Sequence, residues 1–307
     1  MKLLYNRPAL LMTLTCLFWS GNFVIGRGIV GAVPPATLAC LRWLLAFLLF
    51  LPFAWTHLRN DAAEIARHWR IVLFLGFMGA GCYNTLSYLG LLWTEALNGL
   101  VVNSSGPLFI AVTAWALFGD RVDAAELIGM GLGFTGVIVT VVKGDLASLA
   151  SFEFNPGDLL IVLALLTWSI YTAFLRKRPK VNWWSLNLSF FIIAVFCNLP
   201  FALIEAELGL GIHASWRTAA AVAYIVIFPS IIGYIFYNRA VELIGPARAG
   251  LFLFLVPVSG ALLAMLFLGE RLHLYHALGF VLIVAGVLIG SRKPETARRP
   301  KEGPSTA

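Results

Sequence analysis

Apolar residues run along this chain in long blocks, each closed by glycine, proline or a group of charges. The blocks match the roughly 20 residues that an α-helix needs to cross a bilayer. Ten can be drawn, at 8–27, 36–54, 70–92, 98–118, 124–142, 157–175, 182–204, 217–238, 247–268 and 272–290. Gly119-Asp120-Arg121, Gly245-Pro246 and Gly269-Glu270-Arg271 are short enough to be close turns between successive spans. Lys2 and Arg7 precede the first block, as they would precede a signal peptide core. Its length and the nine blocks behind it read instead as a retained span.

Composition sharpens this picture. Of 307 residues, 60% are hydrophobic and 12% charged, against about 25% charged in an ordinary globular domain. Too few charges remain to cover a water-soluble surface, which excludes a soluble enzyme, a disordered chain and a disulfide scaffold. The net charge of +7 would suit nucleic acid, but the basic residues lie in short loops and a tail. With the N-terminus placed in the cytoplasm, 17 Lys and Arg fall on the inside and 4 outside, with Arg42 inside the second span. Positive residues accumulate on the cytoplasmic side of membrane proteins, so both termini are expected there, in a bacterial inner membrane. Cys16, Cys40, Cys82 and Cys197 sit in apolar runs without a CxxC pair and read as buried small hydrophobes, so no metal is expected.

The strongest pattern is an internal repeat. A shift of 150 residues lays Pro107 on Pro257, Gly119-Asp120-Arg121 on Gly269-Glu270-Arg271, and Gly129 on Gly279. A shift of 149 lays Trp19-Ser20 on Trp168-Ser169 and Arg27 on Arg176. The expected fold is an all-α polytopic membrane protein, ten transmembrane helices in two five-helix repeats. Residues 1–143 form the first half, 144–156 a connecting loop, 157–292 the second half and 293–307 a cytoplasmic tail. Five is odd, so the halves enter the bilayer from opposite sides, giving the inverted topology common in secondary transporters.

Two prolines at matching places point to the working part. A proline within a helix frees the carbonyl four residues earlier, here those of Asn103 and Leu253. Pro107 and Pro257 are therefore candidate hinges. Polar side chains show which faces avoid lipid, because an unsatisfied polar group in hydrocarbon costs several kcal/mol. Trp19 and Asn22 stand one turn apart on the first span, and Trp168 and Tyr171 on the sixth. Asn84, Ser87 and Tyr88 share a stripe on the third, and their counterparts at the 150 shift are Tyr234, Tyr237 and Asn238. With Asn103 these residues are the candidate substrate-binding set around a central cavity. Trp43, Trp55, Trp183 and Trp184 fit an interfacial belt better. Arg42 reads as snorkelling outward, as a structural hydrogen-bond donor, or as a contact for a substrate carboxylate.

Several letter matches carry no chemistry. Gly131-x-Gly133-x-x-Gly136 imitates a dinucleotide fingerprint but lies inside an apolar helix with no strand before it, so helix packing through Gly129 and Gly133 is the better reading. The five histidines fall in loops or at span ends, and no reactive constellation or intramembrane acid pair appears. An enzyme is not expected, nor a cofactor. Acids come closest to the membrane core at Glu95, Glu126, Asp158 and Glu242. Without a deep titratable group, movement down the substrate's own gradient is expected rather than proton coupling.

The Trp-Ser pairs, the matched prolines, the Gly-acid-Arg turns and the glycine runs 129–136 and 279–290 resemble the drug/metabolite transporter superfamily, specifically ten-helix exporters of the EamA type. The resemblance covers about 8–290. It implies two inverted repeats around a central cavity, a small-molecule substrate and alternating access. Its aromatic cavity positions look most like the branch exporting amino acids, including aromatic ones. Export of another metabolite or drug, nucleobase-like, and a channel-like facilitator are the alternatives. Partners are limited to the solute and membrane lipid, without nucleic acid, and the chain is read as a monomer.

Overall fold

The computed structural model describes residues 5–29, 31–91, 93–94, 102–142, 155–268 and 273–292; at positions 23, 24, 26–28, 88, 91, 264, 267 and 268 it describes the backbone alone. Glu95, the Gly269-Glu270-Arg271 turn, residues 144–154 of the connection and the 293–307 tail lie outside this set. The described chain is helical, and its helices group into ten passes. These are α1 (Pro8–Gly28), α2 (Pro35–Arg67), α3 (Trp69–Leu75, Gly76–Cys82 and Tyr83–Leu91), α4 (Gly106–Phe118, after a helical turn at 102–104) and α5 (Ala124–Val141). The second half holds α6 (Pro156–Phe174), α7 (Trp183–Glu207), α8 (Trp216–Ile225, Val226–Ile232 and Gly233–Ile244), α9 (Pro246–Phe252 and Leu255–Leu268) and α10 (Leu274–Gly290). Among the described residues six helical stretches are long and apolar enough to cross a membrane, and α4 and α10 are shorter apolar helices. Large apolar side chains such as Phe53, Val112, Trp115, Phe196 and Val281 are exposed on the outside, as lipid-facing residues must be.

The repeat governs the packing. α2 lies along α7 and α5 along α10; α3 packs on α6 as α8 packs on α1, and α4 on α6 as α9 on α1. Exchanging the two halves leaves this set of pairs unchanged, which is the signature of a pseudo-two-fold axis. The α5–α10 crossing shows it at atomic scale. A Cβ on Gly129 would lie 2.6 Å from the Gly286 carbonyl oxygen, and one on Gly286 would lie 2.6 Å from that of Gly129. The Gly136 and Gly279 pair is reciprocal in the same way, at 2.6 and 2.7 Å. Both helices start with a reciprocal cap. In α5, Asp123 and Glu126 each accept from the other's backbone N–H, and His273 and His276 cap α10 150 residues later.

Most turns follow the expected chemistry. Gly119 ends α4 at φ +69° and Gly245 separates α8 from α9 at φ +83°, conformations that glycine adopts without a Cβ clash. Two features depart from the sequence reading. Hydropathy ends the second span at 54, yet α2 runs unbroken to Arg67. Hydropathy marks where lipid ends, whereas a helix ends only where its backbone bonding does; here Pro52 is absorbed and an i,i+3 pair of Glu64 with Arg67 supports the polar extension. That extension carries Asp61, which accepts from Asn182 N at 3.0 Å and Ser185 Oγ at 2.6 Å at the start of α7. The other feature is a π-helical stretch in the middle of α3 and of α8, at Gly76–Cys82 and Val226–Ile232, matched residue for residue by the 150 shift.

The prolines do not kink continuous helices. α4 is broken at Ser105 and α9 at Leu253 and Phe254, and Pro107 and Pro257 sit in the first turn of the helix that resumes. The Leu253 carbonyl, expected to be free, accepts from Val256 N at 3.0 Å in a tight three-residue turn. α1 bonds to the backbone on both sides of the break in α9: Cys16 Sγ donates to the Phe252 carbonyl at 3.0 Å and Ser20 Oγ to that of Val256 at 2.7 Å.

Candidate functional site

The π stretches set the geometry of the centre. A π turn misaligns backbone bonding and leaves carbonyls for other donors. Two carbonyls in equivalent places are used this way. Trp19 Nε1 donates to Pro229 O at 3.0 Å, and Tyr234 Oη donates to Gly79 O at 3.1 Å, with 79 and 229 exactly one repeat apart in number. Trp19 and Tyr234 are thereby fixed against each other, 6.2 Å between ring centroids. Trp168 packs among them at 5.4 Å from Trp19, 5.7 Å from Tyr234, 4.9 Å from Tyr237 and 5.2 Å from Tyr83. Such edge-to-face and tilted contacts suit the ring quadrupoles. Trp168 is buried and Trp19 partly so.

The candidate residues divide into two layers about this aromatic floor. On the side nearer the chain termini, the polar groups satisfy one another. Tyr171 Oη donates to Asn238 Oδ1 at 2.6 Å, Asn238 Nδ2 to Asn187 Oδ1 at 3.0 Å, and Asn187 Nδ2 to the Trp183 carbonyl at 2.7 Å. Thr172 Oγ1 and Tyr237 Oη are 2.8 Å apart. Tyr171, Tyr237 and Asn238 are completely buried, so this layer is a closed plug. On the opposite side, Asn22 Oδ1, Asn84 Nδ2 and Ser87 Oγ are buried and make no hydrogen bond among the described residues. Asn103 lies at the break of α4, where its Oδ1 accepts from Tyr83 Oη at 3.4 Å. Tyr88 lies on α3, with its side chain outside the described set.

Two residues outside the candidate set belong to this centre. Trp43, read as an interfacial residue, is fully buried, 5.1 Å from Tyr234 and 5.4 Å from Phe191 by ring centroid, with its Nε1 unbonded. Arg42, one position before it, does not snorkel. It is 3% exposed, donates from Nε to Ser230 Oγ at 3.0 Å, and its guanidinium lies 4.8 Å from the Trp43 ring centroid. Nothing in local hydropathy distinguishes a tryptophan turned inward from one turned to the headgroups. Arg42 was the one clearly intramembrane charge, and that signal did point here. Trp55 is half exposed, as an interfacial residue would be, and Trp184 stacks on Phe50 at 4.9 Å, away from the centre.

Below the plug, the face carrying the N-terminus is tied by ion pairs between the halves. Asp120 of the first half binds Arg176 of the second, whose guanidinium also covers Phe118 at 4.5 Å. Arg248 of the second half meets Asp123 at 3.2 Å and Glu126 at 2.8 Å, the two acids that cap α5. Glu242 holds Arg178 and Arg239, accepts from Trp183 Nε1 at 2.7 Å, and Arg239 reaches Asn6 Oδ1 at 2.7 Å. At the other face, Glu205 accepts from Ala36 N at 2.9 Å and from Thr37 N at 2.7 Å, capping α2. Asp158, fully buried at the start of α6, caps that helix and binds Thr94. Among the described residues the acids near the membrane core, Glu126, Asp158 and Glu242, are thus committed to caps and ion pairs. Among the described residues no group of three or more His, Cys, Asp or Glu is placed to hold a metal ion.

Comparison with known proteins agrees with this architecture. A solved crystal structure superposes with a TM-score of 0.73 at 20% identity, covering 92% of this chain and 96% of its own. The uncharacterized transporter YyaM of Bacillus subtilis is 24% identical, over 90% of both chains. An uncharacterized transporter of Archaeoglobus fulgidus is 27% identical, over 94% of this chain and 98% of its own. A protein named "Probable terminal-alkyne amino-acid exporter" from Streptantibioticus cattleyicolor is 23% identical over 78% of each. The model of the EamA-like transporter family matches twice, at residues 6–142 and 155–292, once on each half. The chain is therefore a multi-pass membrane transporter and not an enzyme: it belongs to the EamA-like transporter family.

Proposed function

We propose that this transporter exports small zwitterionic or neutral metabolites, foremost amino acids including aromatic ones, from the cytoplasm by alternating access. The observation that carries the reading is the asymmetry of the centre. An aromatic floor has a satisfied plug and an ion-paired face on one side, and on the other three buried polar atoms, Asn22 Oδ1, Asn84 Nδ2 and Ser87 Oγ, without a hydrogen bond among the described residues. Aromatic rings supply dispersion and cation–π attraction to an ammonium, and the free amide and hydroxyl groups bond the polar end of a solute. The likeness to a protein named as an amino-acid exporter supports the same class. In this reading Trp19, Trp168, Tyr234, Asn22, Asn84, Ser87, Tyr88 and Asn103 meet the substrate. Tyr171, Tyr237 and Asn238 close the path beneath it. The breaks before Pro107 and Pro257 let the halves rock.

The test is counterflow in proteoliposomes loaded with unlabelled amino acids, read as uptake of labelled phenylalanine, tryptophan, leucine and threonine. A carrier gives a saturable overshoot with at least one of them; a channel equilibrates without overshoot. No acid or histidine lines the aromatic centre among the described residues, so an imposed pH gradient is expected to drive no accumulation. Accumulation under a proton gradient alone would refute this arm.

The proposed orientation has its own check. Arg59→Cys and Lys180→Cys, exposed on the face of the N-terminus, should react in a cysteine-free background with a membrane-impermeant maleimide only after cells are opened. His213→Cys, exposed on the opposite face, should react in intact cells. The reverse pattern would invert the protein.

A further inference from the structure

We infer that Arg42 is the carboxylate-binding residue of the substrate site, so that the solutes carried are those bearing a carboxylate beside an apolar or aromatic group. The inference rests on the reading of the aromatic centre as the substrate site. Donors of three side chains neighbour one another here, Arg42 with Asn84 and Trp43 beside it. The Arg42 guanidinium is 97% buried by residue, and Ser230 Oγ accepts from its Nε at 3.0 Å, which fixes the plane of the fork. Asn84 turns its Oδ1 toward Arg42 Nη1, at 3.4 Å, and this leaves Asn84 Nδ2 buried and unbonded. Trp43, whose ring lies under the guanidinium, has its Nε1 fully buried and unbonded.

A buried N–H without an acceptor is destabilising, and two occur beside one cation. An incoming carboxylate supplies two oxygens, each able to accept more than once, and meets a guanidinium in parallel fork geometry. A neutral amide supplies one good acceptor and brings two donors of its own, and an ammonium brings donors only. Ser230 stands on the π stretch of α8 immediately after Pro229, whose missing N–H leaves the Ile225 carbonyl for Ser230 Oγ at 2.8 Å. The same stretch thus anchors Trp19 through its Pro229 carbonyl and Arg42 through its serine, coupling the floor to the anion position.

The test uses four solutes of one shape: L-phenylalanine, 3-phenylpropionate, L-phenylalaninamide and 2-phenylethylamine. Binding to the purified full chain is followed by tryptophan fluorescence and by the thermal midpoint. The expected result for the wild type is that both carboxylates bind at least tenfold tighter than the amide and the amine. Arg42→Gln should abolish that preference, and Arg42→Lys should restore part of it. Should Arg42→Gln fail to fold, Asn84→Asp keeps a partner beside the buried cation and should weaken both carboxylates at least tenfold. Equal binding of acid and amide by the wild type, or a preference surviving in Arg42→Gln or Asn84→Asp, overturns the assignment. If the amide and amine bind as well as the acids, and that binding is lost in Trp168→Ala, the aromatic site stands and the carboxylate role of Arg42 falls. If none of the four binds, both readings fall.

Discussion

Replacing Gly136 or Gly279 with valine is expected to abolish the folded protein. At each position a Cβ would lie within 2.7 Å of a backbone carbonyl of the facing helix. Backbone cannot swing aside as a side chain can, so α5 and α10 would have to separate along their shared crossing. Overpacking commonly costs about 1–3 kcal/mol, and here the loss is compounded because the close approach is itself the source of the packing energy in lipid. Gly131→Val is the control: on the same helix its Cβ meets nothing within 4 Å. Size-exclusion of a fluorescent fusion after detergent extraction should show a sharp peak for Gly131→Val and void-volume material for the other two. A normal profile for Gly136→Val would mean that the α5–α10 contact is looser than described.

Trp168→Ala is expected to reduce counterflow by more than tenfold per mole of purified protein. Trp168 touches rings from α1, α3, α6 and α8, so the truncation removes the common neighbour of the floor. Truncating a buried tryptophan in a packed core costs about 3–5 kcal/mol, so Trp168→Phe is measured alongside to retain most of the volume. It should preserve the extractable yield and still transport several-fold more slowly, since it lacks the indole shape. Trp184→Ala should transport within about twofold of wild type, because Trp184 stacks on Phe50 and makes no contact with the floor. Wild-type rates for both alanine variants would dismiss the aromatic floor as the substrate site.

These outcomes bear on how far the residues themselves announce the protein. Passes, turns and the repeat are legible because each depends on local or periodic information. Hydropathy is summed over a window, Gly119 and Gly245 act through their own backbone, and duplication leaves the same residues 150 apart. The π stretches show how the repeat can carry more than was read from it. Gly76–Cys82 and Val226–Ile232 share a register but little sequence, with Gly79 in one place and Pro229 in the other. What they share is the need to give up a carbonyl to an aromatic donor from another helix.

The amino-acid sequence alone determines that this chain is a twofold-repeated, multi-pass membrane transporter, and it places a stripe of polar and aromatic residues away from lipid. Tertiary structure alone decides which of those residues are already spoken for. Asn238 and Asn84 fall one to a half of the chain and look alike in sequence. Asn238 is bonded through both ends of its amide to Tyr171 and Asn187, whereas Asn84 keeps a buried N–H without a partner. Trp43 and Trp55 lie on one helix, and only the packing of α2 against α7 and α8 turns the first inward. Hydropathy is a property of each residue and its near neighbours, while hydrogen-bond satisfaction is a property of pairs brought together from distant parts of the chain, so the membrane fold can be read from one dimension and the open valences of its site cannot.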